Sequence, residues 1–244
     1  MKLHSIELTN ACNLKCGYCP NKEDVKYPKG FLKLSHYLKA LDTLEIDSVG
    51  HCIGLSVCGE PLLHPEVCEY VKIARKYGNR AELHTNATLL TEGLFKGLVN
   101  SGLNKIEISI HTKDGYENFK KAYDVNELLG KPIEVLGQVL SCNEEKVMDW
   151  ASKNSKHYPV LCHPTHNWTS DEPHKANSCR FITGDLCCMK WDGSVVACCF
   201  DFQGDAVIGH IDNFAEIKHE PEYALCTTCS PSWATYQNDA WWWR

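Results

Sequence analysis

The chain has 244 residues, 43% of them hydrophobic and 23% charged, which is enough for a full core and excludes both a disordered segment and a miniature scaffold. Its net charge of −6 lacks the basic footprint that phosphate neutralisation requires, so no nucleic acid is expected as a partner. The N-terminus shows no apolar signal region and no run of 18 apolar residues occurs, so no membrane is expected and a cytoplasmic location is. Fifteen cysteines, an odd number, then point to metal ligation or catalysis rather than to complete disulfide pairing.

From residue 1 to about 165 short apolar runs alternate with helical periodicity, the pattern of βα units and a parallel sheet. Residues 3–9 read as the first strand, and Leu34, Leu38 and Leu41 as one face of a helix. A strand at 53–58 precedes a helix marked by Val67, Val71 and Ala74. A strand at 81–85 then leads to a helix through Leu94 and Leu98, which Gly102 can end. Ile106, Ile108 and Ile110 alternate as a fourth strand. A helix at 116–129, a strand at 132–140, a helix at 144–154 and a strand at 158–162 complete the series. Five or six units are fewer than the eight of a closed barrel, so a partial (β/α) barrel is predicted, open on one side to a large cofactor and substrate.

Beyond residue 165 the cysteines become dense, and a boundary is placed there between a domain of residues 1–165 and a smaller cysteine-rich one of residues 166–244. Residues 186–191 and 195–200 flank Asp192-Gly193, a strong hairpin signal. His163, His166 and His174 read as linker or pocket residues, and none of the twelve histidines forms a compact ligand motif along the sequence. Trp233, Tyr236 and Trp241 to Trp243 either cover a site mouth or form a packed or disordered tail.

Directly after the first strand come Cys12, Cys16 and Cys19, a C-x3-C-x2-C spacing that places three thiolates in one loop at the C-terminal end of a strand. Thiolates at such spacing suit an iron–sulfur cubane, and three ligands leave one iron open to an exogenous chelator; a zinc loop with a remote fourth ligand is the alternative. With an aromatic at Tyr18, the motif resembles the signature of the radical S-adenosylmethionine (AdoMet) superfamily. The resemblance implies a [4Fe–4S] cluster on the three cysteines, AdoMet chelated to the open iron, its reductive cleavage to a 5′-deoxyadenosyl radical, and an external one-electron reductant such as flavodoxin or ferredoxin. Cys58-Gly59-Glu60-Pro61 resembles the family's GGEP segment at the second strand end, with Cys58 in place of the first glycine, and the resemblance implies that its backbone and Glu60 engage the AdoMet amino group. That departure puts the local backbone in question, because glycine alone takes positive φ freely. Thr85, Asn86, Ser109 and His111 fall at the next two strand ends, where family members contact AdoMet or substrate. Gly137 of the fifth strand is a further candidate, or simply marks a bulge.

Cys179, Gly193 and Cys198, followed by Cys226-x2-Cys229, resemble the Twitch type of auxiliary-cluster domain, the shortened relative of SPASM domains. That implies a second [4Fe–4S] cluster with four protein ligands, for which a four-cysteine zinc site is the alternative. Cys199, Cys187 and Cys188 are possible substitutes, while Cys52, Cys68, Cys142 and Cys162 read as small buried hydrophobes. Tyr18-Cys19-Pro20-Asn21 also resembles the Twitch-bearing 2-deoxy-scyllo-inosamine dehydrogenases of aminocyclitol biosynthesis. The expected activity is therefore oxidation of a small hydroxylated substrate. Radical modification of a ribosomal peptide is the alternative enzyme, and an iron–sulfur electron carrier or redox sensor the alternative outside enzymes.

Overall fold

The computed structural model describes residues 1–17, 19, 21, 28–44, 52–140, 149, 153, 157–163, 181, 183–219, 223 and 226. Its frame is one mixed sheet of nine strands, in the order β6-β5-β4-β3-β2-β1-β7-β8-β9. The strands are β1 (Lys2–Ile6), β2 (Cys52–Gly54), β3 (Arg80–Thr85), β4 (Lys105–Ser109), β5 (Glu134–Leu140), β6 (Val160–His163), β7 (Leu186–Met189), β8 (Ser194–Val196) and β9 (Val207–His210). The first seven run parallel, while β8 and β9 are antiparallel to their neighbours. Since β6 and β9 are opposite edges, the sheet is open, as a partial barrel of six βα-type strands requires.

Among the described residues, four continuous helices cover it: α1 (Leu34–Asp42), α2 (Val67–Lys76), α3 (Glu92–Asn100) and α4 (Lys113–Leu128). Local chemistry fixes their ends. Thr91 caps α3 by accepting from the Leu94 N–H at 3.2 Å, and Gly102, at φ +88°, closes it with its N–H on the Val99 carbonyl at 2.9 Å. Thr112 caps Gly115 at 3.1 Å and starts α4 three residues before the first large apolar residue, Tyr116, that marks the helix in the sequence. In α1 the buried stripe is Tyr37, Ala40 and Leu41, whereas Leu34 is 46% exposed, so the face lies one position round from that predicted by leucine spacing. Tyr37 stacks on Tyr70 of α2 at 4.7 Å between ring centres and donates its hydroxyl to the Tyr70 carbonyl at 2.9 Å, which ties the two helices.

Six strands are shorter than predicted, and β2 and β8 stop furthest before their predicted ends. β2 stops at Gly54 because the Ser56 hydroxyl accepts from the His84 N–H at 3.2 Å, replacing the ladder with a side chain. β8 stops at Val196 where the register shifts; beyond it, the Asp201 N–H turns back to the Cys198 carbonyl at 3.1 Å. The predicted hairpin is present, with Gly193 at φ +93° in its turn. It continues the main sheet, since β7 pairs with β1 from Lys2↔Leu186 to Ile6↔Met189. β9 was not anticipated from the sequence. The predicted helix at 144–154 lies outside the described residues apart from helical positions 149 and 153, as do Cys142, His166, His174, Trp233, Tyr236 and Trp241 to Trp243; Cys162 and His163 are described through their backbone in β6. Among the described residues no helix is long and apolar enough to cross a membrane.

Just beyond β1, Glu7 is fully buried, its N–H on the Met189 carbonyl at 2.8 Å and its carboxylate accepting from the Trp191 N–H at 3.3 Å. Burial pushes its carboxyl up from 4.5 to about 7, opposed by Lys190 and by the Trp191 and Cys58 N–H groups. Lys190, 1% exposed, directs its ammonium to the Asp201 and Phe202 carbonyls at 3.0 and 3.3 Å. Between about pH 4.5 and 7 the folded chain thus holds a proton that the unfolded chain has released, so stability falls as pH rises through that window. Glu7→Gln abolishes this titration. In denaturant melts the wild type should lose roughly 3 kcal/mol relative to the variant across the window; a wild type that gains on the variant as pH rises would contradict the assignment.

Candidate active site

The cysteine loop leaves the C-terminal end of β1 on a backbone held by the residues on either side. The Thr9 hydroxyl donates to the Gly30 carbonyl at 2.5 Å and accepts from the Ala11 N–H at 3.1 Å. Asn10 is 2% exposed; its amide donates to the Pro28 carbonyl and accepts from the Gly30 N–H, both at 3.0 Å. The Asn10 carbonyl accepts from the Asn21 amide at 3.0 Å and the Lys29 ammonium at 3.1 Å, and Lys29 also pairs with the Asn21 side-chain carbonyl. Each end of the loop is thereby fixed to the segment at 28–31, a clamp that sequence reasoning missed because its members are ordinary polar residues outside any motif.

On the other side, the end of β2 presses against the loop. Gly59 has φ +86°, and a side chain there would meet the Thr9 and Ala11 carbonyl oxygens at 2.5 and 2.6 Å. The Glu60 N–H donates to the Ala11 carbonyl at 2.7 Å. Cys58 is outside the left-handed region, so the residue that departs from the glycine pattern is not the one that needs glycine. Its thiol is buried, and burial followed by the Glu7 charge pushes it well above its ordinary value.

Glu60 is 1% exposed and inward-facing. Its carboxylate accepts from the Leu62 N–H at 3.0 Å, the Thr85 hydroxyl at 2.6 Å and the Asn86 N–H at 2.8 Å, which locks the ends of β2 and β3 together. Burial pushes its carboxyl up, and the same three donors oppose the shift. Asn86 then reaches the cysteine loop, donating to the Asn13 side-chain carbonyl at 3.0 Å and to the Cys12 sulfur at 3.9 Å. The Asn13 amide donates to the Thr88 hydroxyl at 2.7 Å, and that hydroxyl donates to the Asn86 side-chain carbonyl at 2.6 Å, closing a ring of three side chains. Further along, the Ser109 hydroxyl accepts from the Gln138 amide at 2.8 Å, and His111 is half-buried at the β4 exit. A side chain at Gly137 would meet the Phe119 ring at 2.9 Å, so this glycine admits α4 to the sheet; its pairing with Ile108 runs without a bulge.

The three cysteines of the loop differ in exposure. Cys12 lies at the exposed rim, while Cys16 and Cys19 are half-buried and joined by a turn in which the Cys19 N–H donates to the Cys16 carbonyl at 3.0 Å. Desolvation pushes the Cys12 thiol up, with the Leu14 N–H opposing, and that N–H lies 3.5 Å from its sulfur. Donors already aimed at this sulfur suit a thiolate ligand, whose charge a bound cluster would stabilise. Tyr18 lies outside the described residues. Of the second set, Cys198 is half-buried beside Phe181, Leu186 and Val196 with its sulfur accepting from the Phe200 N–H at 3.4 Å, and the Cys226 N–H donates to the Tyr223 carbonyl at 2.8 Å. Cys179 and Cys229 lie outside the described residues.

Residues 6–131 match the family model described as the Radical SAM superfamily, half of the chain and the part that carries the site. The chain belongs to this superfamily. Membership implies AdoMet and a [4Fe–4S] cluster. Among curated proteins it is 32% identical over 137 residues to an AdoMet-dependent heme synthase of Methanosarcina barkeri, covering 55% of this chain and 39% of that protein. It is 24% identical over 225 residues to the S-adenosyl-L-methionine-dependent 2-deoxy-scyllo-inosamine dehydrogenase of Niallia circulans, covering 89% of this chain and 82% of that one. The chain spans less than half of the heme synthase and 31% of a cofactor-modifying protein of a tungsten-containing aldehyde ferredoxin oxidoreductase from Pyrococcus furiosus. Its fold is that of BtrN, solved in complex with AdoMet and 2-DOIA, with a TM-score of 0.61 at 21% identity over 90% of this chain and 84% of that one.

The close approach at Gly59 yields a prediction. Gly59→Ala should cost more than about 1 kcal/mol and displace the loop, because Ala is strained at positive φ and its methyl meets two backbone oxygens. Cys58→Gly should leave the loop seated. Iron per chain and 5′-deoxyadenosine yield should collapse in the first variant and persist in the second; equal yields from Gly59→Ala and wild type would refute the role.

Proposed function

We propose that the chain is a radical AdoMet dehydrogenase that oxidises a hydroxyl-bearing carbon of a small substrate. The observation that supports this most is the extent of the likeness to the 2-deoxy-scyllo-inosamine dehydrogenase: it runs over 89% of this chain and 82% of that protein, beyond residues 6–131 that match the superfamily and into the cysteine-rich C-terminal part. When bound, the groups supply a 5′-deoxyadenosyl radical for hydrogen abstraction and an acceptor for the second electron of the oxidation.

In this reading Cys12, Cys16 and Cys19 hold the first cluster, and Cys179, Cys198, Cys226 and Cys229 hold an auxiliary one in a Twitch-like domain of residues 166–244, set against the partial barrel of residues 1–165. AdoMet lies across the strand ends. The backbone at Cys58 and Gly59 and the side chain of Asn86 face the cysteine loop, with Tyr18 in the loop itself; Ser109, His111 and the backbone at Gly137 extend the line across β4 and β5. Glu60 and Thr85 act from below: Glu60's oxygens are spent on Leu62, Thr85 and Asn86, so its contribution is to hold Asn86 in place. The substrate occupies the open side of the sheet, and a ferredoxin- or flavodoxin-type protein of the cytoplasm supplies the first electron.

Two measurements test the reading. Anaerobically reconstituted protein should carry about eight irons per chain, two cubanes, and replacing Cys12, Cys16 and Cys19 together by Ala should abolish 5′-deoxyadenosine formation while leaving the second cluster's paramagnetic signal. Four irons with one zinc would remove the auxiliary cluster from the scheme. Candidate polyols and aminocyclitols incubated with AdoMet and limiting reductant in deuterated water should lose two hydrogens by mass spectrometry. Unchanged mass with one deuterium gained would replace oxidation by a redox-neutral epimerisation.

A further inference from the structure

Far from the cysteine loop in sequence, three residues meet that no motif connects. His36 lies in the first turns of α1, His210 ends β9, and Asp212 sits in the short 3-10 segment Ile211–Glu216 that His210 caps. One ligand atom from each lies within 4.8 Å of the others, and among the described residues this is the group of His, Cys, Asp or Glu side chains so gathered. We propose that these three side chains bind a divalent transition ion of the zinc class, clasping α1 to the strand hairpin.

Hydrogen bonds orient the ring of His210. Its Nε2 lies 3.2 Å from the Asp192 carbonyl, which can only accept, so Nε2 carries the proton, and the Nδ1 lone pair accepts from the Asp212 N–H at 3.2 Å, a cap bond that an ion on Nδ1 would replace. A ring nitrogen bonded to a backbone carbonyl is the usual support of a histidine that binds metal through its other nitrogen. That Nδ1 lies 3.2 Å from Asp212 Oδ2. The other Asp212 oxygen is held by Lys39. His36 Nδ1 is buried with no hydrogen-bond partner among the described residues, a cost that a ligand would remove. The two rings meet edge to face at 5.2 Å, and Gly193 makes the approach possible, since a side chain there would come within 2.6 Å of His210 Nε2 and 3.0 Å of His36 Nδ1.

Two imidazoles and one carboxylate favour zinc over magnesium or calcium, which prefer all-oxygen shells, and three protein ligands leave a fourth position for water. The site lies next to the seat of the cysteine loop. Trp191, two residues before Gly193, packs against Gly30 so closely that a side chain at 30 would meet its ring at 2.4 Å, and the Gly30 carbonyl is the acceptor for Thr9. An ion here would stiffen that support without entering the chemistry.

The test uses anaerobically reconstituted protein, whose cysteines are occupied by iron and sulfide, dialysed against Zn2+ and analysed for both metals. The wild type should take up one zinc per chain with no loss of iron and show a higher melting temperature with zinc. His36→Gln and Asp212→Asn, both away from the core, should keep their iron and circular dichroism yet bind zinc more than about ten-fold more weakly and lose the thermal shift. Zinc uptake equal in wild type and both variants, or none in the wild type while its iron is retained, would overturn the proposal.

Discussion

The arrangement depends on one close approach, that of Gly59 to the backbone of the cysteine loop. Carbonyl oxygens of Thr9 and Ala11 occupy the space a side chain would take, and the next N–H, from Glu60, is bonded to Ala11. Two adjacent parallel strands are ordinarily held by their ladder, but among the described residues β1 and β2 share a single registered pair, Ser5↔Gly54. The contact beyond their ends therefore carries much of the work of joining them. It also explains why the motif tolerates Cys58: the strained conformation belongs to Gly59 alone.

From this contact a polar seam runs along the strand ends. Glu60 spends its carboxylate on β3, Asn86 spends its amide on the cysteine loop, and Thr88 and Asn13 close the ring. Polar networks rigidify when every member is satisfied, and this one runs from the buried Glu60 to the sulfur at the exposed rim. Behind the loop, Glu7 and Lys190 are both buried. Burial leaves Glu7 poised near neutrality, so the loop is supported by a site whose charge varies within the physiological range.

Much of the fold was legible because parallel βα units announce themselves through alternation and helix ends, as at Gly102. Helix faces were less so: the leucines of α1 suggested a stripe that Tyr37 and Ala40 in fact carry, since aromatic and alanine residues fill a groove as well as leucine does. β9 escaped because four residues with a central Gly209 give no alternation, and its place is set by the Asp201 carboxylate bonding the Asp205 and Ala206 N–H groups, both at 2.8 Å. The three cysteines of the first loop stood out through spacing alone. The Asn10 and Lys29 clamp and the meeting of His36 with His210 did not, because they join segments whose proximity only the sheet order creates.

The pairing of β1 with β7 also bears on how the chain reaches its folded state. Lys2 to Ile6 find their second neighbour at Leu186 to Met189, so one edge of the strand that launches the cysteine loop remains bare until most of the polypeptide is available. Contacts of such long sequence separation are slow to form, because loop closure must precede any gain from them. An unpaired strand edge is meanwhile a template for wrong partners. Loading metal onto the early cysteines before residue 186 has docked would thus fix a loop whose support is half built, which favours an order of assembly in which the sheet closes over β1 first and the cluster follows.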